Sequence, residues 1–344
     1  MAMLKSLMDY GAVAAKVKAL YGRMLTPEDW QRLGGMTTVS ETAAFLRQHP
    51  GWKNAMSTLQ QGNTDAKELE SALKLQVCDE YERLFLFASG KDKKFLMAAM
   101  HHAELLIILS TLRRIGVGHG LPSNEEIPEF YLRKSTTDLD AVRRATNYQQ
   151  LLAAVDGGFY SEALRSLPKN PETGLPDYRD ASIALENRCY TETYRFLTKN
   201  YKGRKKQTLI KYIGERADVL NLTHLLRLRR FPASLESAEK LLIPVRDRLK
   251  PETVNAIAKA PDNRAVLEIL SATPWGRYFT TLDPDTLERQ YREAMTAFCR
   301  KLINAPEPSI CMPEAYLTMK NIECEKLTTL IEARRLGVDV TGLI

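Results

Sequence analysis

The sequence predicts an all-α protein built from three similar helical repeats of about 110 residues each. Three observations carry this. Apolar residues recur at three-to-four spacing through nearly every segment, and no run of β-branched residues between turns exceeds four. A segment with an acid, an aliphatic four residues on and a terminal base occurs three times: Glu104 to Arg114, Asp218 to Arg229 and Glu323 to Arg334, with starts 114 and 105 residues apart. Upstream of each lies an apolar helix end, a Gly or Pro break and an aromatic plug, and the plugs Trp52, Phe159 and Trp275 are 107 and 116 residues apart. Two signals with one period point to a pseudo-threefold body with repeats at 1–121, 122–233 and 234–344.

The elements follow in order. Tyr10 to Met24 places Val13, Val17, Leu20 and Met24 on one stripe. Leu25-Thr26-Pro27-Glu28 then offers a threonine N-cap and a proline at the first helical position, so a second helix starts at once. Asp65 to Ser89 and Ser182 to Asn200 read as long helices. Each runs into a polar joint, Gly90 to Lys94 and Tyr201 to Lys206, ahead of an acid-and-base helix. In the third repeat Leu249-Lys250-Pro251-Glu252 and Leu282-Asp283-Pro284-Asp285 restate the proline start, with acids near the positive helix end. Asn304 to Pro308 is the third joint, its two prolines stopping a helix. Repeat boundaries are expected in Gly116 to Pro128 and near Phe231-Pro232-Ala233-Ser234.

Composition narrows the function. Hydrophobic residues at 44% and charged residues at 26% are those of a protein with a real core. The apolar stretch Phe95 to Leu109 is interrupted by His101, His102 and Glu104, which predicts a buried helix and not a span. Lys5, Asp9, Lys16 and Lys18 break up the first twenty residues, unlike a secretory signal, and a cytoplasmic location is expected. Five cysteines stand singly at 78, 189, 299, 311 and 324, without metal or disulfide spacing. The net charge of +7 divides as +3, +5 and −1 over the three repeats. That is too dilute for a nucleic-acid face and suits an acidic protein partner or an anionic membrane surface.

No segment carries a catalytic, cofactor or metal motif. His101 and His102 are adjacent and point about 100° apart on a helix, so they cannot readily share one ion with Glu104. Gly116-Val-Gly118-His-Gly120 leads to Pro122 and not into a phosphate-binding helix. Lys202, Arg204, Lys205 and Lys206 form the densest basic run, read as a solvated joint, as a contact for an acidic partner or lipid head groups, or, more weakly, for nucleic acid. Within each acid-and-base helix the two charges lie about 16 Å apart, too far for shared chemistry. An acid near a helix start and a base near its end would match the helix dipole, so Glu104, Asp218, Asn221, Glu323 and Arg334 are read as structural, serving capping and packing between repeats, with contact to a partner as the alternative. Trp52, Phe159 and Trp275 are read as core plugs.

Tyr10 to Asp29, Arg216-Ala-Asp218-Val-Leu-Asn221-Leu222 through Arg229, and Tyr316 to Val338 resemble the C-type central-stalk subunits of rotary V/A-type ATPases and ATP synthases, known as d-type in the eukaryotic vacuolar enzymes. The resemblance covers essentially the whole chain. It implies three all-helical domains arranged as a funnel, seated on the membrane rotor ring and receiving the foot of the central shaft. Such a protein couples rotation for proton or sodium transport, is peripheral on the cytoplasmic face, and has no catalytic site, cofactor or small-molecule substrate of its own. Shaft and ring contacts are expected at Lys202, Arg204, Lys205, Lys206, Arg227, Arg229 and Arg230. The third repeat departs from the second, with Lys326 in place of Asn221, and the first has Ile107 there. A free-standing helical-repeat scaffold is the competing class, and a basic nucleic-acid binder a weaker one.

Overall fold

The computed structural model describes residues 2–57, 59, 64–118, 126–229 and 242–338. The expected boundary at 231–234, Arg230 and most of the 116–128 segment lie outside the described residues. Among those described the chain is all-α, with no strand and a single antiparallel bridge between Lys169 and Pro176. It divides into two compact units, Met1–Gly90 with Phe298–Ile344, and Lys91–Ala297.

The first unit contains α1 (Ala2–Tyr21), α2 (Pro27–Gly34), α3 (Val39–Gln48), α4 (Lys53–Met56), α5 (Ala66–Phe85) and α16 (Cys311–Leu336). α2 starts where the sequence places it: Thr26 and Asp29 cap each other's backbone N–H groups and Pro27 opens the helix. α3 begins with the same reciprocal cap between Thr38 and Glu41. The C-terminal helix α16 packs on α1, α3 and α5. It buries Leu327, Leu330 and Ile331 against Leu33, Leu46, Trp52, Leu69 and Leu73.

The second unit contains α6 (Gly90–Gly116, from Lys91 on), α7 (Glu129–Lys134), α8 (Leu139–Arg144), α9 (Tyr148–Ala154), α10 (Ser161–Arg165), α11 (Tyr178–Asn200), α12 (Gly203–Leu228), α13 (Pro251–Lys259), α14 (Asn263–Ser271) and the first part of α15 (Pro284–Ile303). Leu105, Ile108, Leu109 and Leu112 of α6 pack with Val142, Leu151, Tyr160, Leu164, Ala181 and Leu185. α11 lies on α10 and α12, and α13 lies on α12 and α14.

The first two joints prove to be the opening turns of long helices and not linkers. Gly203 takes a φ of +58°, a left-handed conformation that lets α11 pass into α12 within a few residues, and Gly90 takes +51° at the start of α6. α6 alone among the described helices is long and apolar enough to cross a membrane, and 53% of that apolar window is buried within the fold. All five cysteines are buried and unpaired with one another.

Candidate functional site

The acid-and-base helices of the sequence are α6, α12 and α16, and their acids do not sit where the dipole reading puts them. Glu104, Asp218 and Glu323 fall in the middle of helices that begin at Gly90, Gly203 and Cys311. A mid-helix acid gains little from its own helix ends, because that effect fades within a turn. All three are nevertheless buried, so each needs hydrogen-bond donors from elsewhere.

The donors come from the chain that enters a short neighbouring helix. Glu323 Oε2 accepts the Leu25 N–H at 2.8 Å, two residues before α2 begins. Asp218 accepts the N–H groups of Asp247, Arg248 and Leu249, the last at 3.1 Å and again two residues before its helix, α13. Glu104 Oε1 accepts the Ser135 hydroxyl at 2.6 Å, and Ser135 Oγ in turn accepts the Thr137 N–H, two residues before α8. Each acid thus satisfies the chain entering a short helix, directly or through one hydroxyl.

The terminal arginine of the same long helix holds the other end of that short helix. Arg334 donates to the Leu33 carbonyl and the Thr42 hydroxyl. Arg229 donates to the carbonyls of Ile257 at 2.6 Å and Ala260 at 3.0 Å. Arg114 donates to those of Arg143 at 2.9 Å and Ala145 at 2.6 Å. The last carbonyls of a helix have no partner within it, and a guanidinium supplies several donors in fixed geometry. The acid-to-arginine distance of about 16 Å is therefore a caliper matched to a short helix with its entry turn, and the caliper is built three times.

Around each caliper the copies differ. Asn221 pairs both ways with the Ile243 backbone, donating at 2.9 Å and accepting at 2.7 Å. Lys326, at the matching place, lies 4.1 Å over the Trp30 ring instead. Trp52 is fully buried and its indole N–H donates to Glu323 Oε1 at 2.8 Å. Lys320, 1% exposed, lies between the Trp52 ring, the Gly51 carbonyl and Glu323 Oε1, the last at 3.0 Å. Gly51 is needed there, since a Cβ would stand 2.0 Å from the Arg23 carbonyl oxygen.

In the second unit His101 takes the place of Lys320, three residues before the acid, with Nδ1 2.9 Å from Glu104 Oε2 and its ring stacked 3.8 Å from Phe159. Phe159 itself is half-buried. The fully buried plug is Tyr160, which stands at the N-cap of α10 as Trp52 does at that of α4. The predicted aromatic is one residue off because either ring fits a sequence pattern that cannot resolve which face is inward. Trp275 is buried, and its carbonyl accepts the N–H groups of Tyr278 and Phe279.

The basic run lies at the entry to α12. Lys205 pairs with Asp92 at 2.8 Å and Lys206 donates to the Thr198 carbonyl, while Lys202 and Arg204 are exposed. Arg227 is exposed and bonded to Glu288 at 2.7 Å. Arg229, expected on the outside, is half-buried and holds α13.

Desolvation sets the acidities. Burial pushes Asp218 up to about 6 against the pull of its three backbone donors. Burial raises the hydroxyl of Tyr316 strongly, with Glu80 beside it, and holds the Cys324 thiol up at about 12. Sequence reasoning misses Lys320, which is open to discovery as the residue one turn before Glu323 on an otherwise apolar face.

These features define a class: an all-helical protein in which three buried mid-helix acids and the arginines of the same long helices clamp the ends of short helices, with no cluster of metal-ligating side chains among the described residues. The chain belongs to the ATP synthase (C/AC39) subunit family, whose model matches residues 13–341. It is 21% identical to the C-type subunit of the A-type ATP synthase of Pyrococcus abyssi over 338 residues, covering 96% of this chain and 87% of that one. The counterpart in Methanobrevibacter smithii is also 21% identical, over 95% of this chain and 84% of its own length. That of Thermococcus kodakarensis is 21% identical over 94% and 86%.

Proposed function

We propose that the chain is a non-catalytic central-stalk subunit of an A/V-type ATP synthase, coupling the rotating shaft to the membrane rotor ring on the cytoplasmic face. The observation that carries this reading is the family match across 13–341, together with relatives named as C-type subunits of A-type ATP synthases. A coupling must transmit torque without yielding. Three long helices that grip short helices at both ends support that role, because each grip replaces freely fraying ends with charge-assisted hydrogen bonds. The recurrence of the caliper also supports three repeats in a pseudo-threefold, funnel-like body. In it α6 and α12 each belong with a short helix that follows them in sequence, and α16 belongs with α2.

Within this reading Lys202, Arg204 and Arg227 face the shaft or the ring, and Arg229 stays with α13. The test is a pull-down of the tagged chain from gently solubilised membranes of its source, with mass spectrometry of what elutes. Shaft and ring subunits are expected, and they should be lost with Lys202→Glu, Arg204→Glu and Arg227→Glu combined while circular dichroism is unchanged. Elution of soluble, unrelated proteins alone would replace the coupling with a free-standing scaffold.

A further inference from the structure

Two basic segments of the second unit, residues 91–94 at the start of α6 and 199–206 at the turn from α11 into α12, meet at one corner of the fold. The Lys91 ammonium donates to the Asn200 carbonyl, 109 residues on, at 3.2 Å. Lys91 and Lys205 both lie over the Tyr201 ring, 4.7 and 5.1 Å from its centre. The Tyr201 hydroxyl and the Lys205 ammonium both donate to Asp92 Oδ1, at 2.8 Å each.

The two segments hold eight basic side chains and one acid, Asp92. Their net +7 equals that of the whole chain, and the remaining residues balance at 41 basic and 41 acidic. Charge that is dilute when divided by repeat is thus gathered at a single place. Lys91, Lys94, Lys199, Lys202 and Arg204 are exposed, and Lys93, Lys205 and Lys206 are half-buried. α12 adds to the field, because it has no acid in its first turn and no side chain capping its positive end. Crowding like charge opposes a compact state, and Asp92 offsets only part of it.

The kind of charge selects the partner. Seven of the eight are lysines, hydrated point charges on flexible stems, and only Arg204 offers the planar fork that grips one carboxylate or phosphate in fixed geometry. Protein interfaces are depleted in lysine and built on apolar or aromatic anchors. Among the described residues no large exposed hydrophobic side chain falls in either segment, and Tyr201 is buried. The same lack removes a stacking platform for nucleic-acid bases. A flexible lysine cluster without anchors fits a fluid anionic surface, and about four to eight basic residues together is the size that binds acidic lipid head groups.

We propose that the corner formed by residues 91–94 and 199–206 docks on anionic phospholipid head groups. The inference rests on the reading above, in which Lys202 and Arg204 face the shaft or the membrane rotor ring. Its test uses vesicles and no other subunit, so its failure would leave the shaft and ring pull-down standing.

The experiment is flotation of the full chain with phosphatidylcholine vesicles carrying about 30% phosphatidylglycerol, against pure phosphatidylcholine, at about 0.1 M salt. Binding is expected to the mixed vesicles alone, and it should fade at about 1 M salt, where screening acts within about 3 Å. Each basic residue near an anionic surface raises partition roughly fivefold, so Lys94→Glu, Lys199→Glu and Lys202→Glu combined should lower it at least about 100-fold, with circular dichroism unchanged. Lys134→Glu, Lys250→Glu and Lys259→Glu combined, the same change of net charge at exposed sites elsewhere, should keep most of the binding. No binding to the mixed vesicles, or an equal loss in both triple variants, would overturn the proposal. So would displacement by inorganic phosphate at constant ionic strength, the mark of a discrete phosphate site, or capture of duplex DNA in place of vesicles.

Discussion

Replacing Glu323 by glutamine is the sharpest perturbation of a caliper, because it keeps the shape and removes only the charge. In the folded protein that carboxylate serves three donors: the Leu25 N–H at 2.8 Å, the Trp52 indole N–H at 2.8 Å and the Lys320 ammonium at 3.0 Å. Lys320 is 1% exposed and Glu323 is the carboxylate it pairs with, so the neutral amide leaves a buried cation uncompensated at a cost of about 3–5 kcal/mol. The amide NH2 also faces one of the two remaining N–H groups, which adds about 1–3 kcal/mol. Lys320→Met should cost less, since the two neutral donors keep their carboxylate. In the double variant no unpaired charge remains, and the loss should fall short of the sum by about 2 kcal/mol. The three tryptophans allow the unit to be read alone: Trp30 and Trp52 lie in the first unit and Trp275 in the second, so urea denaturation followed by fluorescence in a Trp275→Phe background reports the first. A single-variant cost below about 1 kcal/mol, the usual value of an exposed pair, or simple additivity in the double, would refute the buried-network account.

Two further outcomes follow from the same geometry. Asp218 has its folded value raised to about 6 from 3.8, so the native state holds a proton that the unfolded chain has lost between those values. Its contribution to stability is therefore complete below about 3.8 and falls on the order of 3 kcal/mol as pH rises through about 6. Asp218→Asn should flatten that slope, so its penalty, measured by denaturation of the second unit at several pH values, shrinks as pH rises. Arg229→Met should free the carbonyls of Ile257 and Ala260 and cost about 1–3 kcal/mol. Amide exchange should accelerate in α13 and leave α2 and α8 unchanged.

Much of the architecture is legible in residues alone. The proline starts at Pro27, Pro251 and Pro284 fall at the first residues of α2, α13 and α15, because proline's fixed φ suits that position and its missing N–H is no loss there. The periodicity that marks an all-α chain is a property of each helix by itself. The aromatic plugs are located to within one residue, and Phe159 stands in for Tyr160 because both neighbours are aromatic. Arg229 is expected outside because a basic residue at a helix end is usually solvated. Its carbonyl acceptors lie 28 to 31 residues further on, and nothing local marks them.

The acids show why a correct motif can carry a wrong reason. Spacing along one helix shows that Glu104, Asp218 and Glu323 repeat, and a dipole is the only partner such spacing can supply. The actual partners lie 31, 31 and 298 residues away, the last at the opposite end of the chain. Seen from that end, the third copy uses the first short helix of the sequence, Pro27–Gly34, where the first two copies use a helix that comes after them. A chain whose last long helix completes its first short one cannot lose either terminus without opening a caliper. Truncation after Gly116 or before Cys311 should therefore leave α2 without its acid and its arginine. Such fragments should show faster amide exchange in α2 than the intact chain, and equal exchange would mean that α2 is held by its own Thr26–Asp29 cap alone.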